Sequence, residues 1–304
     1  MATTITPAVL QALKTDVRKI FQSAFGSTPT FYRELATVVS SSTSVNTYSW
    51  MKDLPKMREW LGPRVVNGLE SVAYQLENKE YELTVGVRRT DIEDDQLGLF
   101  TPRVQMMAQS VAQLPDDLIL EALENGETGL AFDGAAFFST SHLNYQTGAA
   151  NVSNLSSASN GSSVLDATNF AAHKAAMRRI VGYDGKPLGI NPDLLIVPPE
   201  LEDTANTLMT AQYGSSGSTN IQRGQARVLV LPRLSDANDW YLMDSRYPVK
   251  PFIFQNRQSP EFVSKINMND ENVFWNKEYV WGADARAVAG YGMWHLIRKI
   301  KNTA

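Results

Sequence analysis

Three histidines, His142, His173 and His295, are the side chains of this 304-residue sequence best suited to moving protons or holding a metal near neutral pH. They lie in three separate contexts, and no two stand at the i, i+4 spacing that presents a pair of imidazoles to zinc from one helix. Only His142 follows hydroxyls, in Ser139-Thr140-Ser141-His142. A hydrolase needs a nucleophile, a base and a group that orients the base, all converging in space. Neighbours in sequence do not supply that, so the simpler expectation is that His142 orders its own loop through a hydrogen bond. A hydrolase centred on His142 stands as the enzyme alternative. Cysteine is absent, which removes disulfides, thiolate metal sites and thiol nucleophiles, and fits a reducing compartment.

Other short motifs fail on spacing. Residues 182–187 (GYDGKP) suggest a phosphate loop, but no glycine precedes Gly185 at the required distance and Pro187 takes the Ser/Thr position. Residues 214–218 (GSSGS) place Ser218 where a nucleophile elbow needs its closing glycine. Asp91, Glu93, Asp94 and Asp95 lack the alternating ligands and turn glycine of a calcium loop; they read as favourable charge ahead of a helix N-terminus, with Arg88 and Arg89 as local partners. Arg298, Lys299 and Lys301 read as a solvated basic tail. No catalytic residue, metal site or cofactor is expected, and the chain reads as non-enzymatic.

The elements around these residues look unfinished without neighbours. Pro7 opens a helix whose Leu10, Leu13, Val17, Ile20, Phe21 and Ala24 share one face up to Gly26, while Lys14 and Arg18 lie on a polar stripe that is either solvated or turned to a partner. Residues 44–90 read as one long hairpin, because Val45, Thr47 and Ser49 alternate with Tyr48 and Trp50, and Tyr81, Leu83, Val85 and Val87 alternate on the way back. The parity of Val72, Tyr74 and Leu76 differs from that of the return, so a bulge or tight turn falls near residues 77–80. The far end, residues 52–67, mixes Leu54, Met57, Trp60 and Leu61 with Lys52, Lys56, Arg58 and Arg64. A lone two-stranded hairpin would leave these apolar groups wet. It either folds back on its own domain or docks on a neighbouring subunit, with Trp60 and Arg64 the anchor types enriched at interfaces. Trp50, Lys52, Lys56, Trp60 and Arg64 are the candidate intersubunit contacts.

Thr101-Pro102 predicts the start of a long helix to Asn125, with Pro115 marking a kink or local break. A Gly/Ala/Asn/Ser-rich stretch at 148–163 places a boundary near 165. Its three sequons, at Asn151, Asn154 and Asn160, read as accidents of composition. Beyond it come helix at 166–181, strand at 194–197, helix at 199–212, and strands at 226–231, 240–243, 251–255 and 278–292, an α+β arrangement. Length allows two domains or one large one; as one compact globule the chain would expose about 12,700 Å² and bury about three quarters of its surface. With 28 basic and 32 acidic residues the formal charge is −4, which disfavours coating DNA by bulk electrostatics. No segment has the ~20 apolar residues of a membrane span, nor a signal-peptide pattern at the start, so a soluble protein with no membrane role is expected.

The order of elements, an N-terminal arm, a long hairpin, residues 85–89 (VGVRR) running into an acidic helix start, a long helix, an α+β unit and a returning strand, resembles the major capsid protein fold of tailed bacteriophages, the Hong Kong 97 type. Residues 132–142 (FDGAAFFSTSH), 195–202 (LIVPPELE), 240–244 (WYLMD) and 291–294 (YGMW) are similar to the Mu-like prophage major head subunit family. The resemblance implies an N-terminal arm at 1–43, an extended loop at 44–90 lying across an adjacent subunit, a peripheral domain with a spine helix at 91–164, an axial domain at 165–275 and a strand returning to the peripheral domain at 276–304. It implies self-assembly as pentamers and hexamers into an icosahedral virion shell around double-stranded DNA, contacted non-specifically, after assembly in the host cytoplasm. The implied partners are a scaffold, a maturation protease, a portal and a decoration protein. Lys14 and Arg18 then face the interior. Some relatives crosslink a lysine of the extended loop to a neighbour's asparagine; Lys52 and Lys56 are available, and no motif fixes the asparagine. An encapsulin-like compartment shell is the alternative with the same fold, and a tail or baseplate protein would form tubes or rings.

Overall fold

The computed structural model describes residues 7–51, 71–93, 97–143, 151–156, 163–182, 186–214 and 217–302. Helix α1 (Pro7–Ser27) buries Leu10, Val17 and Phe21 and leaves Lys14 and Arg18 exposed, as its periodicity predicts. A single turn, α2 (Tyr32–Leu35), leads into β1 (Ala36–Ser40). Strands β2 (Val45–Met51) and β3 (Ser71–Glu77) then pair antiparallel, from Val45 opposite Glu77 to Met51 opposite Ser71. The expected single hairpin over 44–90 is corrected here. Its ladder ends at Glu77, Asn78 lies in neither strand, and β4 (Lys79–Arg88) leaves to pair with a strand two hundred residues on. The parity change near residues 77–80 marks this parting of ways, because one residue outside a ladder turns every following side chain to the other face.

After the short α3 (Arg89–Glu93), α4 (Leu97–Glu124) runs for 28 residues. It begins four residues ahead of the expected Thr101-Pro102 start and continues through Pro115 without the local break. Packing overrides the missing N–H: Val111, Ala112, Leu118, Ile119 and Leu123 on both sides of Pro115 are buried. Just past it, Asp116 accepts hydrogen bonds from the N–H groups of Phe31 and Tyr32, at 3.0 and 2.8 Å, and braces the helix against α2.

The rest of the chain supplies β5 (Leu155–Ser156), α5 (Ala167–Arg178), β6 (Leu194–Val197), α6 (Glu202–Thr210), β7 (Arg227–Val230), β8 (Trp240–Met243), β9 (Phe252–Lys265), α7 (Glu271–Asn276), β10 (Glu278–Tyr291) and β11 (Ile297–Ile300). One sheet has the order β5-β11-β8-β6-β7, and another the order β1-β9-β10-β4. Both mix parallel and antiparallel pairs. The architecture is the expected α+β. A boundary at 275, however, cuts through the β9–β10 ladder, which runs from Val280 opposite Lys265 to Tyr291 opposite Phe252. The final strand β11 pairs with β8 in the other sheet. Strand partners are set by contacts far apart in sequence, which a boundary drawn from composition does not register.

Three apolar clusters hold the fold. One packs α1 and α4 on the inward face of the four-stranded sheet, through Phe21, Met107, Val87, Tyr279 and Trp281. Another centres on Phe137, whose ring lies 4.7 Å from Tyr291, 5.0 Å from Phe138 and 5.1 Å from Phe252. The last fills the five-stranded sheet against α5 and α6, around Phe170, Met209 and Trp240.

Candidate assembly surfaces

The hairpin β2–β3 is fastened at its base by a polar knot. Gln255, fully buried in β9, accepts from the Tyr48 hydroxyl at 2.7 Å and donates to Asn78 Oδ1 at 2.8 Å. Asn78 in turn donates to Ser41 Oγ, Thr43 O and Ser44 O. On the other strand, Tyr74 Oη accepts the Tyr291 N–H at 3.0 Å. Burial pushes the phenols of Tyr48 and Tyr74 up, so both serve as neutral hydrogen-bond partners. Gly290 is required beside them, since a Cβ there would stand 2.5 Å from the Leu76 side chain. The base of the hairpin is therefore seated on the body.

Of the residues expected at an intersubunit contact, Trp50 lies in β2 opposite Val72. Lys52, Lys56, Trp60 and Arg64 lie outside the described residues. Lys14 and Arg18 are brought to one exposed flank of α1, beside the face whose Leu10, Val17 and Phe21 are buried.

The histidines are structural. Both ring nitrogens of His142 face acceptors: Nδ1 lies 2.7 Å from Asp133 Oδ2, and Nε2 lies 3.2 Å from both Phe137 O and Asn154 Oδ1. None of these is a nucleophile, and His142 is wholly buried, stacked at 3.8 Å on Trp294. Trp294 also stacks on His295, whose imidazole is pushed down to about 3 by burial and by neighbouring His142. Asn154, one of the three sequon asparagines, is buried in the same knot, where its Nδ2 donates to Phe137 O. His173 approaches Ser163 Oγ at 3.1 Å, which looks like a serine–histidine dyad. Arg298 Nε donates to His173 Nδ1 at 3.2 Å, so the neutral ring carries its proton on Nε2 and donates to Ser163 instead of activating it. Burial and the positive Arg298 push this imidazole down to about 4.

The basic C-terminal residues are not a solvated tail. Lys299 Nζ lies 2.7 Å from Glu127 Oε1 and 3.1 Å from Asp239 Oδ2, and Lys301 Nζ 2.9 Å from Glu127 Oε2. Burial alone would raise the Glu127 carboxyl, but hydrogen bonds from Lys299 and Lys301 outweigh it and hold it below the ordinary glutamate value. Arg298 bonds Ser153 O through its guanidinium. The alternating Arg-Lys-Ile register of β11 was hidden by its charge. Among the described residues no cluster of three metal-ligating side chains occurs, and no helix is long and apolar enough to cross a membrane.

Two exposed surfaces gave no motif-level signal. Phe274 and Trp275, on α7 at the tip of the β9–β10 ribbon, are 68% and 76% exposed and meet edge to face at 5.0 Å. An open cleft lies between α5, α6, residues 213–214 and residues 218–221. Both carry residues that read as ordinary helix and loop in sequence.

The sequence matches the family described as Mu-like prophage major head subunit gpT over residues 10–164, 157–234 and 235–304. It is 32% identical to the major capsid protein of Escherichia phage Mu, over 98% of this chain and 75% of that protein. It is 28% identical to the Mu-like prophage FluMu major head subunit of Haemophilus influenzae, over 98% of this chain and 74% of that one. The subunit in the procapsid of bacteriophage JBD30 superposes with a TM-score of 0.65 at 32% identity, covering 99% of this chain and 77% of that chain. A sequence match along nearly the whole chain, with superposition on a chain of a phage procapsid, places the chain in the Mu-like prophage major head subunit family.

Proposed function

We propose that this chain, a major capsid protein, closes with copies of itself as pentamers and hexamers into an icosahedral head that encloses double-stranded DNA. The carrying observation is the family match along nearly the whole chain. The separate β2–β3 ladder, fastened to the body through Gln255 and Tyr291, supports it. The compartment-shell alternative is not favoured, because the relatives near 30% identity are phage head subunits. In this reading residues 44–77 reach across a neighbouring subunit, with Trp50, Lys52, Lys56, Trp60 and Arg64 at the contact, and Lys14 and Arg18 face the interior, where scaffold and then DNA lie. A maturation protease, a portal and a decoration protein complete the partners, and the virion is the final location after assembly in the host cytoplasm. The subunit acts by geometry and does no covalent chemistry on a substrate.

The physical mechanism is multivalency. Each copy makes several modest contacts, and once a ring or shell closes the last contacts are intramolecular, so the whole is stable although one pair is weak. The test replaces residues 52–67 by a short Gly/Ser turn in the full chain. The expected product is a folded, soluble subunit that forms no closed particles in negative-stain micrographs; normal particles would remove the docking role of the loop.

A further inference from the structure

The unit built on the five-stranded sheet carries surfaces of opposite charge at the two ends of α5. At the N-terminal end, α5, α6, residues 213–214 and residues 218–221 border a cleft of about 660 Å³. Asp166 and Asp203 line it, and Glu200 and Glu202 are exposed beside them at the start of α6. Tyr213 and Ile221, also lining residues, are 60% and 76% exposed, an unusual state for an aromatic and a branched aliphatic side chain on a soluble unit. Arg223, in the turn that follows, is a cation at this end. At the C-terminal end, Arg178 and Arg179 are exposed, as is Lys186 beside the bridge of Val181 with Pro187. Arg178 is tethered to Asn191 Oδ1, which fixes the direction of its guanidinium. Twelve residues of helix separate the two ends by about 18 Å.

A patch and its complement on opposite ends of one unit cannot meet within a copy. They can meet between copies, head to tail, and such a heterologous contact closes into a ring when the rotation per step divides the circle. We infer that the Arg178–Arg179 end of α5 in one copy seats in the Asp166–Asp203 cleft of the next, with Tyr213 and Ile221 as the apolar rim that excludes water from the charge pairs. The occupant is a second copy of this chain. This rests on the shell reading above and deepens it, by stating which faces of adjacent copies meet within a ring. The opposed charges steer the approach and reject a copy docked the wrong way round, where acid would meet acid. Repetition around the ring multiplies the effect of one pair, so a change of sign at a single position is felt at every contact.

The test is a charge exchange in the full chain. Asp203→Arg and Arg179→Asp are made singly and together; both positions are exposed, and a thermal melt confirms that each variant folds. Particle yield is counted by negative-stain microscopy, and ring formation is followed by native mass spectrometry. Each single variant is expected to lower the yield of rings and closed particles at least about tenfold, and the double variant to return to within about threefold of the wild type. Singles that assemble like the wild type, or a double no better than the worse single, would overturn the contact and leave the shell reading standing. A wild-type chain that forms neither rings nor closed particles under assembly conditions would overturn both.

Discussion

The two larger sheets bury themselves differently. In the five-stranded sheet the central strands β6 and β8 are buried at every residue, because α5 and α6 cover one face and the Phe137 cluster the other. The four-stranded sheet starts the same way, with Phe252 to Gln255 all buried, and then changes character. From Asn256 onward β9 alternates half-buried and exposed residues, and β10 and β4 keep one face on α1 and α4. Their other face presents Glu82, Asp284 and Glu261 side by side across three strands, directly opposite one another in register. Like charges placed so cost stability in an isolated sheet. The first sheet is thus complete within one chain, whereas the second carries a face whose composition makes sense only beside something else.

That contrast can be broken first where it is greatest. Trp240 is wholly buried in β8 and donates its indole N–H to Ser163 O at 2.9 Å. Trp240→Ala is expected to cost about 3–5 kcal/mol of unfolding free energy in a denaturant titration; a loss under about 1 kcal/mol would mean the five-stranded unit is not self-sufficient. Acid should come next. His173, packed on Trp240 in this unit, and His295, at the joint where the chain enters β11, are pushed down to about 4 and about 3. The unfolded chain takes up their protons near 6.5 and the folded chain only far lower. Their stabilising contribution is therefore full above about pH 6.5 and is lost as pH falls towards 4, by up to about 1.4 kcal/mol per pH unit for each histidine. Melting temperature should drop over that window, and His295→Leu should flatten the slope; an unchanged slope would show that its imidazole is already charged in the fold. The smallest effect on the subunit is expected at Val263, 46% exposed on the ribbon. Val263→Lys should alter unfolding free energy by less than about 0.5 kcal/mol, yet reduce particle yield. Unchanged assembly would mean that this face meets no neighbour.

Elements governed by local rules were legible in the sequence. The apolar runs at 194–197 and 240–243 became strands over those same residues, and the heptad-like face of residues 7–26 became α1. What escaped depended on distant partners. Residues 256–265 alternate with polar groups and contain Pro260, so they read as the end of a strand; pairing with β10 on one side extends β9 through them. Proline is tolerated there because the β9–β10 register slips between Gln258 and Glu261, and among the described residues β1 stops at Ser40, opposite Asn256. Lys299 read as solvent-facing until Glu127 and Asp239, 172 and 60 positions away, enclosed it. The assembly surfaces were legible only in part: the stripe of Lys14 and Arg18 follows from helical spacing, while the cleft beside α5 is made by three segments that converge only in the fold.

Two of the chain's three crossings between the larger sheets, through residues 244–251 and 292–296, run side by side. Gly292 donates to Pro251 O at 2.7 Å, Asp244 to Leu296 O at 2.9 Å, and a Cβ on Gly292 would collide with Lys250 O at 2.6 Å. In mechanical terms this is a double strap without slack. Tension applied to one sheet, as when a filled container strains outward against its wall, passes to the other along two backbones that share the pull, and Trp294 and Tyr291 pack the joint against shear. Compliance is then left to the distal half of the β9–β10–β4 ribbon, beyond the straps, while each plate keeps its shape.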